Sequence, residues 1–282
     1  MEHVKANGIT LATQTWPEPG RAVAGRTILC VHGLTANHTC WYPMAETLAP
    51  AHRLIAYDLR GRGGSDKPAS GYSLAHHDSD LLGLLDHFGL ERAVIMGHSL
   101  GAHIAVRFAA HHPERVDRLI LFDGGLDVRA EVLDSLAPAI NRLGVEFPSL
   151  EAFLGLMQTL PMFAGRWNEH LARYFTYDVE PGPGGGVRSK VARHAIEEEV
   201  GNLQRVRLWV WHHRITAPTL LFRAPDGLLT PDDCLMTQDE AEAMAHAIRG
   251  CRLVVVPGTN HYTVLLGGDP IVRRESAAFL AR

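Results

Sequence analysis

A serine flanked by glycines lies between a predicted strand and a predicted helix, and it restricts the fold of this chain more than any other feature. The segment Gly97-His98-Ser99-Leu100-Gly101 follows the apolar run 93–96 and precedes a helical pattern over 100–111. Glycine on both sides lets the backbone pack where a Cβ would clash, and the helix N-terminus directs its N–H groups towards the serine. This context predicts that Ser99 is a catalytic nucleophile. The alternative, a serine that only caps the helix, explains neither glycine.

Short apolar runs alternate with helical patterns over most of the chain. The predicted strands are 26–31, 53–57, 93–96, 118–122, 219–223 and 252–256. Continuous apolar strands separated by helices indicate parallel strands that are covered on both faces. The sequence therefore predicts an α/β fold, with a mostly parallel sheet flanked by helices.

The stretch 126–207 has a different character. It lacks strand-like runs, and helical patterns occur at 131–143, 150–160, 168–175 and 189–200. Its glycine-rich part, 181–186, is predicted to be a flexible loop. We therefore divide the chain into a core formed by 1–125 and 208–282, and a helical insert at 126–207 that we call the cap segment.

Four landmarks together resemble the serine-nucleophile branch of the α/β-hydrolase superfamily, over essentially the whole chain. The landmarks are His32-Gly33 after one strand, Asp58-Leu59-Arg60-Gly61 after the next, the serine turn at 97–101, and Asn260-His261 after the last strand. The resemblance implies an α/β-hydrolase fold in which the insert covers the active site. It also implies that the backbone N–H groups of Leu34 and Leu100 form an oxyanion hole, an arrangement in which one donor contributes roughly 3 kcal/mol to transition-state stabilisation.

His261 is the best candidate for the catalytic base. It follows the last predicted strand in a loop rich in glycine, threonine and asparagine, and the order serine, acid, histidine matches the α/β-hydrolase order. A neutral imidazole can take the serine proton and return it to the leaving group. The alternative is a structural loop histidine. His98 is too close to Ser99 in sequence to be the base.

Two carboxylates compete for the role of the triad acid. In most family members the acid follows the strand that corresponds to 219–223, but alignment on Pro231 puts Gly227 at that position and leaves Asp226 one residue early. Some relatives take the acid from the strand after the nucleophile, where this chain has Asp123. We favour Asp123 and keep Asp226 as the alternative. Either carboxylate would hold the tautomer of the histidine and stabilise its imidazolium.

Composition and charge argue against several other classes of protein. A net charge of −4 provides no basic surface for nucleic acid, and no apolar run reaches the roughly 20 residues that a membrane helix needs. No metal-ligand spacing and no dinucleotide fingerprint is present, so we expect neither a metal nor a cofactor. Four cysteines without a C-x-x-C pair suit reduced thiols in the cytoplasm. The sequence does not predict the oligomeric state.

We therefore expect a serine hydrolase that cleaves a small carboxylic ester or lactone carrying a hydrophobic group. Haloalkane dehalogenases and epoxide hydrolases of the superfamily use aspartate as the nucleophile, so Ser99 argues against both. Carbon–carbon bond hydrolysis, a hydroxynitrile-lyase reaction and ligand sensing on the same scaffold remain open alternatives. The large apolar side chains of the cap segment line the substrate pocket or form the segment's own core; they are Phe147, Phe153, Leu156, Met157, Met162, Phe163, Trp167, Tyr174 and Phe175.

Overall fold

The computed structural model describes residues 1–18, 20–21, 23–129 and 135–282. The strands are β1 Glu2–Ala6, β2 Ile9–Trp16, β3 Thr27–Val31, β4 Arg53–Tyr57, β5 Ala93–His98, β6 Val116–Phe122, β7 Glu146–Phe147, β8 Val179–Pro181, β9 Val187–Ser189, β10 Thr219–Arg223 and β11 Cys251–Val255. The α-helices are α1 Tyr42–Leu48, α2 Leu74–His87, α3 Leu100–His111, α4 Ala137–Asn141, α5 Leu150–Thr159, α6 Glu169–Asp178, α7 Arg193–Leu203, α8 Trp209–His212, α9 Gln238–Ala247, α10 Thr263–Leu266 and α11 Pro270–Leu280. Short 3₁₀ turns lie at His38–Trp41 and Pro113–Arg115.

The central sheet is mostly parallel and has the strand order β1-β2-β4-β3-β5-β6-β10-β11. All neighbours from β4 to β11 pair in parallel, and β1 and β2 form an antiparallel extension at one edge. Helices connect the parallel strands, as the sequence predicts. The α/β-hydrolase architecture is therefore confirmed.

Alternate residues of the central strands enter two hydrophobic cores, one on each face of the sheet. Ile28 and Val94 belong to one core, whereas their neighbours Leu29 and Ile95 belong to the other. Successive side chains of a strand point to opposite faces, so a strand buried on both sides must be apolar throughout. This explains why the buried strands read as continuous apolar runs.

The cap segment contains a small sheet as well as helices, which the sequence analysis did not predict. The strands β7, β9 and β8 pair antiparallel in that order, and they are too short to show a period of two. The predicted loop 181–186 lies at the turn between β8 and β9, where the Glu146 carboxylate accepts hydrogen bonds from Gly184 and Gly186. Of the helix predicted over 131–143, residues 131–134 lie outside the described part.

The N-terminal hairpin of β1 and β2 was also missed by the sequence analysis. In β1 only Val4 and Ala6 are buried, and polar side chains occupy the other positions. An edge strand that covers the sheet on one side alone needs few apolar residues, so its pattern is weak. In the part of the chain that the structure describes, no helix has both the length and the apolarity that crossing a membrane requires.

Candidate active site

Ser99 lies on a strained turn between β5 and α3. Its backbone has φ 56° and ψ −120°, a conformation that residues other than glycine seldom adopt. The Ser99 N–H donates to the Phe122 carbonyl at 3.0 Å. A Cβ on Gly97 would overlap the Gly101 carbonyl, and one on Gly101 would overlap the Val31 carbonyl. The two glycines thus allow the close packing of α3 on the sheet that holds the turn.

His261 and Asp123 are in contact. His261 Nδ1 lies 2.8 Å from Asp123 Oδ2, and both side chains are buried. Asp123 follows β6 with φ 45°, and its second oxygen accepts a hydrogen bond of 3.1 Å from the N–H of Ala224, just after β10. A carboxylate facing Nδ1 favours the tautomer that carries its proton there, which leaves Nε2 available as a base.

Asp226, the alternative acid, has a different partner. Its Oδ2 lies 2.7 Å from Arg166 Nη2 of the cap segment, and both side chains are about one-third exposed. The Asp226 N–H donates to the Thr259 carbonyl. The structure therefore brings Asp123 to His261 and places Asp226 in an ion pair between the core and the cap segment.

His98 contacts His261 in a way that the sequence analysis did not anticipate. Its Nε2 lies 2.8 Å from the His261 carbonyl oxygen, and the two imidazole centroids are 4.6 Å apart. Burial lowers the pKa of His98 well below its usual value, so the ring is neutral and donates through Nε2–H. The sequence feature that could have indicated this contact is an aromatic hydrogen-bond donor at the second position of the G-x-S-x-G pattern.

The segment 33–36 passes beside Ser99, and we call it the oxyanion loop. Its first peptide is oriented by His32, whose Nδ1 lies 2.8 Å from the Gly33 carbonyl and whose Nε2 accepts from the Leu59 N–H at 2.9 Å. Burial lowers the pKa of His32 to about 3, which keeps it neutral. In a trans peptide the N–H points opposite to the carbonyl, so the bond to Gly33 also orients the N–H of Leu34.

The two predicted oxyanion donors have no acceptor in the part of the protein that the structure describes. Within the described residues, the backbone N–H of Leu34 and that of Leu100 donate to no other protein atom. Leu100 is the first residue of α3, where N–H groups lack an intrahelical acceptor. A Cβ on Gly33 would lie 3.1 Å from Ser99 Cβ and 3.5 Å from Ser99 Oγ, so the loop and the serine are packed against each other.

Two mainly apolar lobes meet at Ser99. Lobe A is lined by His261 and by residues that include Leu136 and Ile140 of the cap segment. Lobe B extends past Asp123 to residues that include Leu203 and Met236. Both lobes also include Leu34 and Ser99 in their walls. A molecule that crosses Ser99 would therefore place one part in each lobe.

Most of the large apolar side chains of the cap segment pack among themselves. Tyr174 lines lobe A, and Leu156 is exposed. The remaining residues belong to one of the two hydrophobic cores or lie against it: Phe147, Phe153, Met157, Met162, Phe163, Trp167 and Phe175. Apart from Tyr174, the cap residues that line the lobes are smaller than the sequence suggested and come from 126–128, from Leu136 and α4, and from Leu203 at the end of α7. Among the described positions, no group of three His, Cys, Asp or Glu residues has a geometry that could hold a metal ion.

The comparisons with known proteins agree with this architecture. The family described as the α/β hydrolase fold matches residues 26–267. A 2-(acetamidomethylene)succinate hydrolase of Mesorhizobium japonicum is 30% identical over 248 residues, which cover 85% of this chain and 82% of that protein.

Solved structures show the same fold. The crystal structure of E-2-(acetamidomethylene)succinate hydrolase has a TM-score of 0.87 at 24% identity, covering 100% of this chain and 98% of that one. The enol-lactonase from Burkholderia xenovorans LB400 has a TM-score of 0.74 at 18% identity, with 100% of both chains covered. With its sheet order, its serine turn and a family match over most of its length, this chain belongs to the α/β-hydrolase fold family.

Proposed function

We propose that this protein is a serine hydrolase that cleaves a carboxylic ester or lactone with a hydrophobic group. The observation that carries the proposal is the position of the strained Ser99 in a cavity shared with His261, whose Nδ1 contacts the Asp123 carboxylate. A nucleophile, a base and a group that orients the base make up the arrangement needed for acyl transfer.

The reaction begins with attack of Ser99 Oγ on the ester carbonyl carbon. His261 takes the serine proton at Nε2, while Asp123 holds the Nδ1–H tautomer and stabilises the imidazolium. Negative charge develops on the carbonyl oxygen, and the N–H groups of Leu34 and Leu100, which have no acceptor among the described residues, are available to donate hydrogen bonds to this oxyanion. Collapse of the tetrahedral intermediate transfers the His261 proton to the leaving alcohol and leaves an acyl group on Ser99.

Water completes the cycle. His261 takes a proton from a water molecule, which attacks the acyl carbon, and the same two N–H groups stabilise the second oxyanion. Return of the proton to Ser99 Oγ releases the carboxylic acid. In a lactone the acid and the alcohol remain joined, so the product is one hydroxy acid.

The two lobes support a substrate with an apolar group. Residues such as Leu136, Ile140 and Leu203 from the cap segment contribute apolar surface next to Ser99, and we propose that the segment 126–207 acts as a cap over the site. Pockets of this kind bind small molecules through apolar walls and a few polar groups. Four cysteines that form no disulfide support our further proposal of a reducing compartment, the cytoplasm.

A second candidate is hydrolysis of an amide by the same residues. The relative with 30% identity is named as a hydrolase of 2-(acetamidomethylene)succinate, a compound that carries an acetamido group. An acyl-enzyme at Ser99 would serve this reaction equally well, with His261 protonating a leaving nitrogen instead of an oxygen.

The test is a panel of p-nitrophenyl esters from acetate to octanoate, simple lactones and 2-(acetamidomethylene)succinate. Wild type is compared with Ser99→Ala and with Ser79→Ala, a control on the exposed side of α2. We expect ester or lactone turnover that disappears only in Ser99→Ala, and the preferred acyl length would measure the lobe that binds it. Acetate release from the amide alone would favour the second candidate. A folded wild type that cleaves none of the esters and lactones would contradict the proposed function.

A further inference from the structure

Two buried arginines hold consecutive carbonyl groups of the oxyanion loop. Arg62 Nε donates to the Leu34 carbonyl at 2.9 Å, and Arg142 Nη2 donates to the Thr35 carbonyl at 3.1 Å. Neither guanidinium is open to solvent, since 0% of the Arg62 side chain and 5% of the Arg142 side chain is exposed. The backbone on the carboxyl side of the Leu34 N–H is therefore held by buried positive charges.

Each arginine is paired with a carboxylate from the cap segment. Arg62 contacts Glu199 of α7, and Arg142 contacts Asp178 at the end of α6 at 2.5 Å. Both carboxylates are about 1% exposed. A buried charge that loses its partner is strongly destabilised, so each arginine must remain where its cap carboxylate is.

Glu199 is held in the ionised form that this role requires. Its second oxygen lies 2.6 Å from Nε2 of the buried His77. Burial alone would raise the pKa of Glu199, but Arg62 and His77 outweigh that effect and hold the pKa at about 2. The carboxylate is thus negatively charged and fixed at both oxygens.

The N–H groups of each arginine donate to acceptors in different parts of the chain. Each planar guanidinium therefore connects these parts rigidly. Arg62 also donates from Nη1 to the Arg60 carbonyl at 2.8 Å, so its planar group joins the loop after β4, the oxyanion loop and the cap segment. Arg142 directly follows α4, whose residues Ala139 and Ile140 line lobe A. The Arg142 side chain therefore links α4, which forms part of the wall of lobe A, to the Thr35 carbonyl of the oxyanion loop.

We infer that the cap segment sets the geometry of the oxyanion loop through Arg62 and Arg142, which act as positioning residues for the Leu34 N–H. The inference rests on the proposed function, in which that N–H stabilises the oxyanion. It follows that the cap segment contributes to the rate of acylation as well as to substrate binding. Replacing either cap carboxylate by an amide weakens its ion pair and allows the oxyanion loop to move. A misplacement of about 1 Å can lower a rate by about 100-fold.

The experiment compares Glu199→Gln and Asp178→Asn with Asp80→Asn. Asp80 forms an equally buried pair with Arg60, at 2.6 Å, that joins α2 to the loop after β4 and lies outside the cap segment. One readout is the second-order rate of covalent labelling of Ser99 by an alkyl fluorophosphonate, which needs the nucleophile and the oxyanion hole but no particular substrate. The other is hydrogen–deuterium exchange of peptides that cover 33–40. All variants are assayed well below their unfolding temperatures.

We expect labelling to slow by about 10-fold to 100-fold in both cap variants, with faster exchange over 33–40, and to change by less than about twofold in Asp80→Asn. Arg62→Lys is the second test if a cap variant does not fold. Lysine keeps the positive charge beside Glu199, but one ammonium group cannot replace the planar fork that also binds Leu34.

The outcomes that would contradict the coupling differ from the outcome that would contradict the proposed function. Cap variants or Arg62→Lys that label as fast as wild type would overturn the coupling, as would an equal loss in Asp80→Asn. A wild type that the fluorophosphonate does not label would instead contradict the proposed function of Ser99. If the wild type is not labelled, hydrogen–deuterium exchange still tests the structural coupling. Exchange over 33–40 that is unchanged in the cap variants would overturn the coupling, and faster exchange would support it.

Discussion

Asp123 at the end of β6 contacts His261, which follows β11, although β10 lies between these two strands in the sheet. The distance from Asp123 Oδ2 to His261 Nδ1 is 2.8 Å. The same carboxylate accepts a hydrogen bond from the backbone N–H of Ala224, which follows β10. Its position is therefore fixed by two neighbouring strands. Asp226 lies farther along the chain and pairs with Arg166 of the cap segment.

This difference predicts opposite results for two matched substitutions. Asp123→Asn should lower kcat for a p-nitrophenyl ester by about 10³-fold to 10⁴-fold, because the amide no longer holds the Nδ1–H tautomer of His261. Asp226→Asn should change kcat by less than about threefold, since a partly exposed ion pair contributes little. Steady-state kinetics of both variants provide the test. An equal or larger loss in Asp226→Asn would assign the acid role to Asp226.

Gly33→Ala should damage activity more than stability. The new methyl group would lie 3.1 Å from Ser99 Cβ and 3.3 Å from His98 Nδ1, so the serine must move by a few tenths of an ångström. We expect kcat to fall by about 10-fold to 100-fold with a change in Tm of a few degrees at most. Gly155→Ala is the control, because a Cβ there meets nothing within 4 Å. Wild-type kcat in Gly33→Ala would show that the loop tolerates the methyl group.

His98→Leu should affect both the folded state and the reaction. Leucine cannot donate to the buried carbonyl of His261, and an unsatisfied buried acceptor costs about 1–3 kcal/mol. The base would also lose one of its positional restraints, so we expect kcat to fall by about 10-fold. His98→Gln can supply an amide N–H and should recover part of both losses. Urea unfolding and ester kinetics measure the two effects, and identical behaviour of the leucine and glutamine variants would argue against this role of the hydrogen bond.

Asp58 should make stability depend on pH in the acid range. Burial opposes its ionisation, but hydrogen bonds from His38 and Gly64 hold the pKa of this carboxyl at about 2. Since the ordinary value of about 3.9 is higher, the unfolded chain binds more protons in this range and stability rises with pH. The contribution, about 2 kcal/mol, is present above about pH 4 and is lost as the pH falls through about 2.

Asp58→Asn should therefore be less stable than wild type at neutral pH and should lose less stability on acidification. Urea unfolding at several pH values between about 2 and 7 measures this, with Asp66→Asn as the control in the same loop, where the side chain is exposed. Parallel stability curves for wild type and Asp58→Asn would contradict the expected linkage.

Much of the core fold follows from local sequence patterns. A strand buried on both faces consists largely of apolar residues, so β3, β5 and β10 could be predicted from their short apolar runs. The edge strand β1 buries only Val4 and Ala6, and β7–β9 have two or three residues each. Such short or one-sided elements carry too few apolar residues to show a period, and their existence depends on the sheet or partner strand that they join.

The sequence by itself predicts Ser99 as the nucleophile, because Gly97, Ser99 and Gly101 act within one turn whose shape is set by local backbone sterics. His261 could likewise be predicted as the base from the sequence, because it follows the last strand. Which carboxylate meets that histidine could be decided only by the tertiary structure, since it depends on the order of β6, β10 and β11 in the sheet. The contacts of His98, Arg62 and Arg142 likewise join residues far apart in the chain, and long-range pairs of buried charges and hydrogen bonds leave no local pattern from which they could be predicted.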